Sequence, residues 1–90
     1  MNYDYRQVHF PNNNSWYREL VYLDDELIGE IRESTESTYK RKIYQVCEYA
    51  PLEIADGTVD IAVVTTAFGS VSDCKDFINS GGIAPIKAPN

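Results

Sequence analysis

The chain reads as an α+β domain, with about four strands in a mostly antiparallel sheet and one C-terminal helix packed on one face. Three observations carry that expectation. Trp16–Leu23 and Leu27–Glu33 are apolar-rich runs separated by the acidic turn Asp24-Asp25-Glu26, the pattern of a hairpin. The longest apolar run, VDIAVVTTAF from Val59 to Phe68, is rich in β-branched residues and is expected to be the best-buried strand. Directly after it, GSVSDCKDFINSGG carries helix signals at both ends.

Taken in order, residues 1–15 form an N-terminal arm and turn. Tyr3, Tyr5 and Gln7 alternate with Asp4, Arg6 and Val8, as in a short edge strand, and Pro11-Asn12-Asn13-Asn14-Ser15 breaks it. In the hairpin, pairing Tyr22 with Leu27 sets Leu20 opposite Gly29, Arg18 opposite Ile31 and Trp16 opposite Glu33. The expected core face then holds Trp16, Leu20, Tyr22, Leu27 and Ile31. The outward face holds Tyr17, Glu19, Val21, Ile28, Glu30 and Arg32, with Glu19 directly across from Glu30. Gly29 is expected to make room for Trp16 or Tyr22.

After the polar loop Glu33–Ser37, Thr38–Tyr49 is the third strand. It is apolar on both faces in its second half, as befits a strand inside the sheet. Ala50-Pro51 ends it, and Asp56-Gly57 turns the chain into the fourth strand, Thr58–Thr66. Ser70 or Ser72 caps the helix, with Ser70 and Asp73 at capping-box spacing. Val71, Cys74, Phe77 and Ile78 line one apolar stripe, and Gly81-Gly82 stops it. The whole is one domain over residues 1–90, with sheet and helix in 16–80 and an extended tail in 81–90.

The formal net charge is −6, with 14 acidic against 8 basic residues. That balance disfavours nucleic acid or an anionic membrane as a direct partner, because both require a basic footprint. Two cysteines, Cys47 and Cys74, are too few for a disulfide scaffold. The first ten residues lack a basic and apolar secretory signal, and no segment is long and apolar enough to span a membrane, so a cytoplasmic location is expected.

The residues assemble no catalytic signature. His9 is the only histidine, which leaves neither a metal cluster nor a triad to build. No phosphate-binding glycine loop is present, and no cofactor is expected. The acids of the hairpin tip are solvated and lack the calcium-loop pattern, so general acid–base chemistry and calcium binding are both disfavoured. Lys40-Arg41-Lys42 between Tyr39 and Tyr44 has the cation–aromatic interleaving of single-strand binders, but three charges are a small footprint in so acidic a chain. What remains is a binding surface. Asp24, Asp25 and Glu26 at the tip, with Glu19, Glu30 and Tyr17 beside them, are the candidate partner-binding residues, suited to a basic protein surface.

The layout of the SWYRELVYLDDELIGEI hairpin, a tyrosine-rich strand and the closing AFGSVSDCKDFINS resembles small bacteriophage proteins, among them host-defence inhibitors of the anti-CRISPR type. The resemblance covers Trp16 to Ser80 and includes no diagnostic motif. It implies a non-enzymatic inhibitor that blocks a basic, nucleic-acid-binding surface of a host protein. A monomer or a homodimer fits, and the alternative function is a self-associating assembly protein that uses an open sheet edge.

Overall fold

The computed structural model describes residues 2–8, 16–36, 38 and 40–83. His9, the Pro11–Ser15 break, Tyr39 and the tail beyond Ile83 lie outside the described residues. Five antiparallel strands follow one another across a single sheet in chain order: β1 (Tyr3–Gln7), β2 (Arg18–Leu23), β3 (Glu26–Glu36), β4 (Arg41–Ile54) and β5 (Gly57–Phe68). One helix, α1 (Val71–Asn79), packs on one face. The architecture is the expected α+β. The strand count rises from four to five because the N-terminal alternation pairs as a true edge strand, Tyr3 against Leu23 through Gln7 against Glu19. Among the described residues no helix is long and apolar enough to cross a membrane.

The β2–β3 hairpin closes at Asp24 and Asp25, both left-handed (φ 50° and 69°), which is the two-residue turn whose twist matches the flanking strands. The pairing of Tyr22 with Leu27 occurs as expected. One step further in, the register shifts by one residue, so that Val21 faces Gly29, Glu19 faces Ile31 and Arg18 faces Arg32. A single extra residue reverses every side chain beyond it. The expected core face is therefore corrected. Glu19, Val21 and Leu23 are buried on the helix side, while Trp16 and Leu27 are exposed and Leu20 and Tyr22 are half-buried. Of the residues expected to face the core, Ile31 is in it.

Gly29 also has a different role. A Cβ there would run into the backbone carbonyl of Cys47 and stand 3.1 Å from Ile83 Cδ1, so the glycine admits the neighbouring strand and Ile83, just past the Gly81-Gly82 stop, not Trp16 or Tyr22.

β4 does not end at Pro51. It runs on to Ile54, with Pro51 paired to Asp60. The pairing of β3 with β4 stops at Gly29–Glu48, so from Tyr49 onward β4 has a neighbour on one side only. A proline, which lacks a donor, is tolerated where one side of the strand is unpaired. The far end of β4 and the near end of β5 thus form a two-stranded arm with its turn at Ala55–Asp56.

The helix is built by its caps. Ser70 Oγ accepts from the Asp73 N–H at 3.2 Å, which selects Ser70 over Ser72 as N-cap. At the other end Gly82 N–H donates to Phe77 C=O (3.0 Å) and Gly81 N–H to Ile78 C=O (2.9 Å), with Gly81 at φ 87°, a Schellman stop. Cys74 and Ile78 are buried, and Val71 and Phe77 pack beside them. Val21, Ile31, Val46, Ile78 and Ile83 are among the residues that complete the core.

That core leaves β5 largely uncovered, which corrects the expectation that it is the best-buried strand. Val59, Ile61, Val63 and Val64 keep 42%, 38%, 44% and 43% of their surface exposed. The reason is one of length. A nine-residue helix spans roughly 13 Å, whereas twelve strand residues span roughly 40 Å, and β5 is the last strand in the order.

Candidate binding surface at the acidic end of the sheet

The six candidate residues separate into an interior set and an exposed set. Glu19 is 8% exposed on the helix face, where Lys75 of α1 approaches Oε2 at 3.1 Å and donates to Oε1 at 3.3 Å. Tyr17 has the same carboxylate beside it and meets the Tyr44 ring edge-on at 5.9 Å. Lys75 also sits 4.8 Å from the centre of the Tyr5 ring, and Tyr5 OH donates to Asn79 Oδ1 at 2.7 Å. These groups hold α1 on the first two strands.

Glu30 lies on the opposite face, 4% exposed, and the two carboxylates are not neighbours. Arg18 grips Glu30 through Nε (2.9 Å) and Nη2 (3.2 Å), and Tyr49 OH donates to Oε1 at 2.9 Å. Arg18 and Glu30 are diagonal across the strand pair, within side-chain reach. In the groove above them, about 340 Å³ and lined in part by Leu27, Asp60 and Ala62, both Glu30 oxygens are engaged. Like-charge strain between Glu19 and Glu30, expected from the unshifted register, does not arise.

The ionisable hydroxyls and thiols around this interior are held in their neutral forms. Burial pushes Tyr17, Tyr49 and Cys47 above their ordinary values. The carboxylates of Glu19 and Glu30 add to that shift at the two tyrosines. Burial likewise pushes Tyr5 up to about 12 and Cys74 up to about 11. Both cysteines are free, fully buried thiols. The stability these groups contribute is fully present below their unfolded values, 9.0 for a thiol and 10.0 for a phenol, and is lost as pH rises through the higher folded values. The urea midpoint should therefore fall as pH climbs from about 9 to about 12. A constant midpoint across that window would show that the neutral forms contribute nothing.

Asp24, Asp25 and Glu26 stay exposed. Asp24 is fixed by β1, with Asn2 N–H donating to its Oδ1 at 3.2 Å and its own N–H donating to Asn2 C=O at 3.0 Å. Strand register shows what surrounds this tip. Asp4 lies opposite Tyr22, and the arm of β4 and β5 passes the tip at the same end of the sheet, carrying Glu53, Asp56 and Asp60. Asp4, Asp24, Asp25, Glu26, Glu53, Asp56 and Asp60 are all exposed, and they are half of the chain's 14 acidic residues. Two described cations border this end: Arg6 stacks over the Tyr22 ring at 4.3 Å, beside Asp4 in register, and Arg18, held by Glu30, shares a groove with Asp60. Lys40, Arg41 and Lys42 are at the opposite end, where Arg41 pairs with Glu36 (2.6 Å) and Lys42 with Glu33 (3.2 Å).

Asp4 and the acids of the arm are the members that sequence reasoning missed. The turn at Asp56-Gly57 is visible in the sequence, but ending the strand at Pro51 hides the fact that Glu53 and Asp60 flank one projecting hairpin. Among the described residues no group of three or more histidine, cysteine, aspartate or glutamate side chains is placed to hold a metal ion. No family model matches the chain, and neither a curated protein nor a solved structure matches it.

Proposed function

We propose that the chain is a non-enzymatic binding module that meets a basic protein surface through the acidic end of its sheet. The partner class is a nucleic-acid-handling protein in the cytoplasm, and the mode is occupation of its basic groove, as in phage inhibitors of host defence. One observation carries this reading: seven exposed carboxylates gather at one end of the strands, outnumbering the two cations that border them, Arg6 stacked on Tyr22 and Arg18 held by Glu30, while Glu19 and Glu30 are consumed internally. Like charges brought together in this way repel one another at rest, and a basic surface relieves that repulsion and is steered toward it.

Immobilised poly-L-lysine is the test surface, and the readout is the salt concentration that releases the full chain. Per charge removed, the tip variant Asp24→Asn/Asp25→Asn/Glu26→Gln should lower the release salt clearly more than Asp73→Asn/Asp76→Asn, a control that removes exposed acids from the helix instead; an equal fall per charge would contradict the proposal.

A further inference from the structure

We propose that β5 is a two-fold interface between two copies of this chain, paired antiparallel about Ile61. This surface goes beyond the reading above: it uses the β4–β5 arm, with Glu53, Asp56 and Asp60, and leaves the acidic tip of the β2–β3 hairpin free.

The two edges of the sheet are built differently. β1 is five residues long and carries Asp4 and Arg6, the charged, short edge that discourages pairing. β5 is twelve residues long, and Asp60 is its one charged residue; it has no lysine and no proline. Its unpaired side is a row of backbone donors and acceptors, and its one irregularity, the extra residue Thr65 opposite Val46–Cys47, lies beyond the Val59–Val63 segment. The strand also adjoins an uncovered apolar face. Strand parity puts Val59, Ile61 and Val63 on the helix side of the sheet, beside Leu52 and Ile54 of β4, and all five are 38–48% exposed. A contiguous aliphatic patch on the scale of a few hundred Å² marks an interaction site.

Self-complementarity identifies the occupant. Antiparallel pairing about Ile61 sets Ile61 against its own copy and Val59 against Val63 of the second chain, a β-branched ladder on the helix side. On the other side Asp60 falls opposite Ala62, so no carboxylate directly faces another. The same pairing runs each acidic arm tip toward the second chain's β3–β4 turn. There Arg41 and Lys42 border a hollow beside Ala67 and Phe68, and Lys40 is exposed. The gap is about two strand spacings, roughly 10 Å, within reach of attraction at low salt.

Sedimentation equilibrium of the full chain, from micromolar to submillimolar, tests the proposal. The expected result is a monomer–dimer equilibrium that Ile61→Lys weakens roughly tenfold or more, since like charges then oppose each other across the axis. Gln7→Lys, on the other edge, leaves it unchanged. Ile61→Cys should form a cross-linked dimer under oxidation while the buried Cys47 and Cys74 stay unreacted. A wild-type chain that is monomeric throughout overturns the proposal, including the case in which deleting residues 84–90 makes it dimeric. Open-ended growth beyond the dimer, or a dimer that Gln7→Lys dissolves and Ile61→Lys does not, overturns it as well.

Discussion

Replacing Arg18 by alanine should destabilise the fold by about 3 kcal/mol, read as a lower urea midpoint with an unchanged slope. Arg18 supplies two of the three hydrogen bonds that hold the Glu30 carboxylate. Without the guanidinium, a carboxyl side chain only 5% exposed is left with one donor, Tyr49 OH. Breaking a buried pair from one side typically costs about 3–5 kcal/mol, and the 36% exposure of Arg18 puts this case at the low end, because solvent already screens the cation. Arg18→Leu combined with Glu30→Leu should recover most of the loss, since removing both charges leaves nothing buried and unpaired. If the double variant were as unstable as the single one, packing of the Arg18 stem, and not the ion pair, would be the source.

The second large effect is expected at Gly29. Gly29→Ala should cost about 3 kcal/mol or more, because the new methyl group meets the Cys47 carbonyl, a backbone atom that cannot rotate away. Shortening Ile83 to alanine relieves only the side-chain contact, so Gly29→Ala with Ile83→Ala should not be rescued. Gly69 provides the control: a Cβ there meets nothing within 4 Å, and Gly69→Ala should leave the thermal midpoint within a few degrees of wild type. Equal losses at the two glycines would mean that backbone freedom, and not the close approach of β4, is what Gly29 provides.

Much of the fold is legible in the residues because local chemistry decides it. Asp24-Asp25 closes a hairpin, Ser70 and Gly81 bound a helix, and the apolar stripe from Val71 to Ile78 gives its packed face. β4 reads as an interior strand because its second half is apolar on both sides, and it does lie between β3 and β5. The failures share one physical cause, which is that hydrophobicity and alternation do not say what packs against a strand. The shift between Val21 and Tyr22 leaves no mark in the pattern, yet it exchanges the faces of β2 and separates Glu19 from Glu30. Val59–Val64 is as apolar as a core strand, but burial needs a covering layer, and the short helix does not extend that far. At the candidate surface the turn acids are visible in the sequence. Their grouping with Asp4, Glu53, Asp56 and Asp60 depends on β4 continuing through Pro51, which follows from β3 having stopped pairing.

The carboxylates considered for binding thus fall into two groups, Glu19 and Glu30, which hold the fold, and those that face outward at one end of the sheet. The measurement that tests this division most directly compares Glu30→Gln with the Asp24→Asn/Asp25→Asn/Glu26→Gln variant in two assays, urea unfolding and salt-dependent release from poly-L-lysine. Glu30→Gln should lower the urea midpoint and leave the release salt close to wild type. The tip variant should lower the release salt and leave the urea midpoint close to wild type. If both variants shifted the release salt only in proportion to the charge each removes, the acidic end would be a solubilising surface and not a binding site.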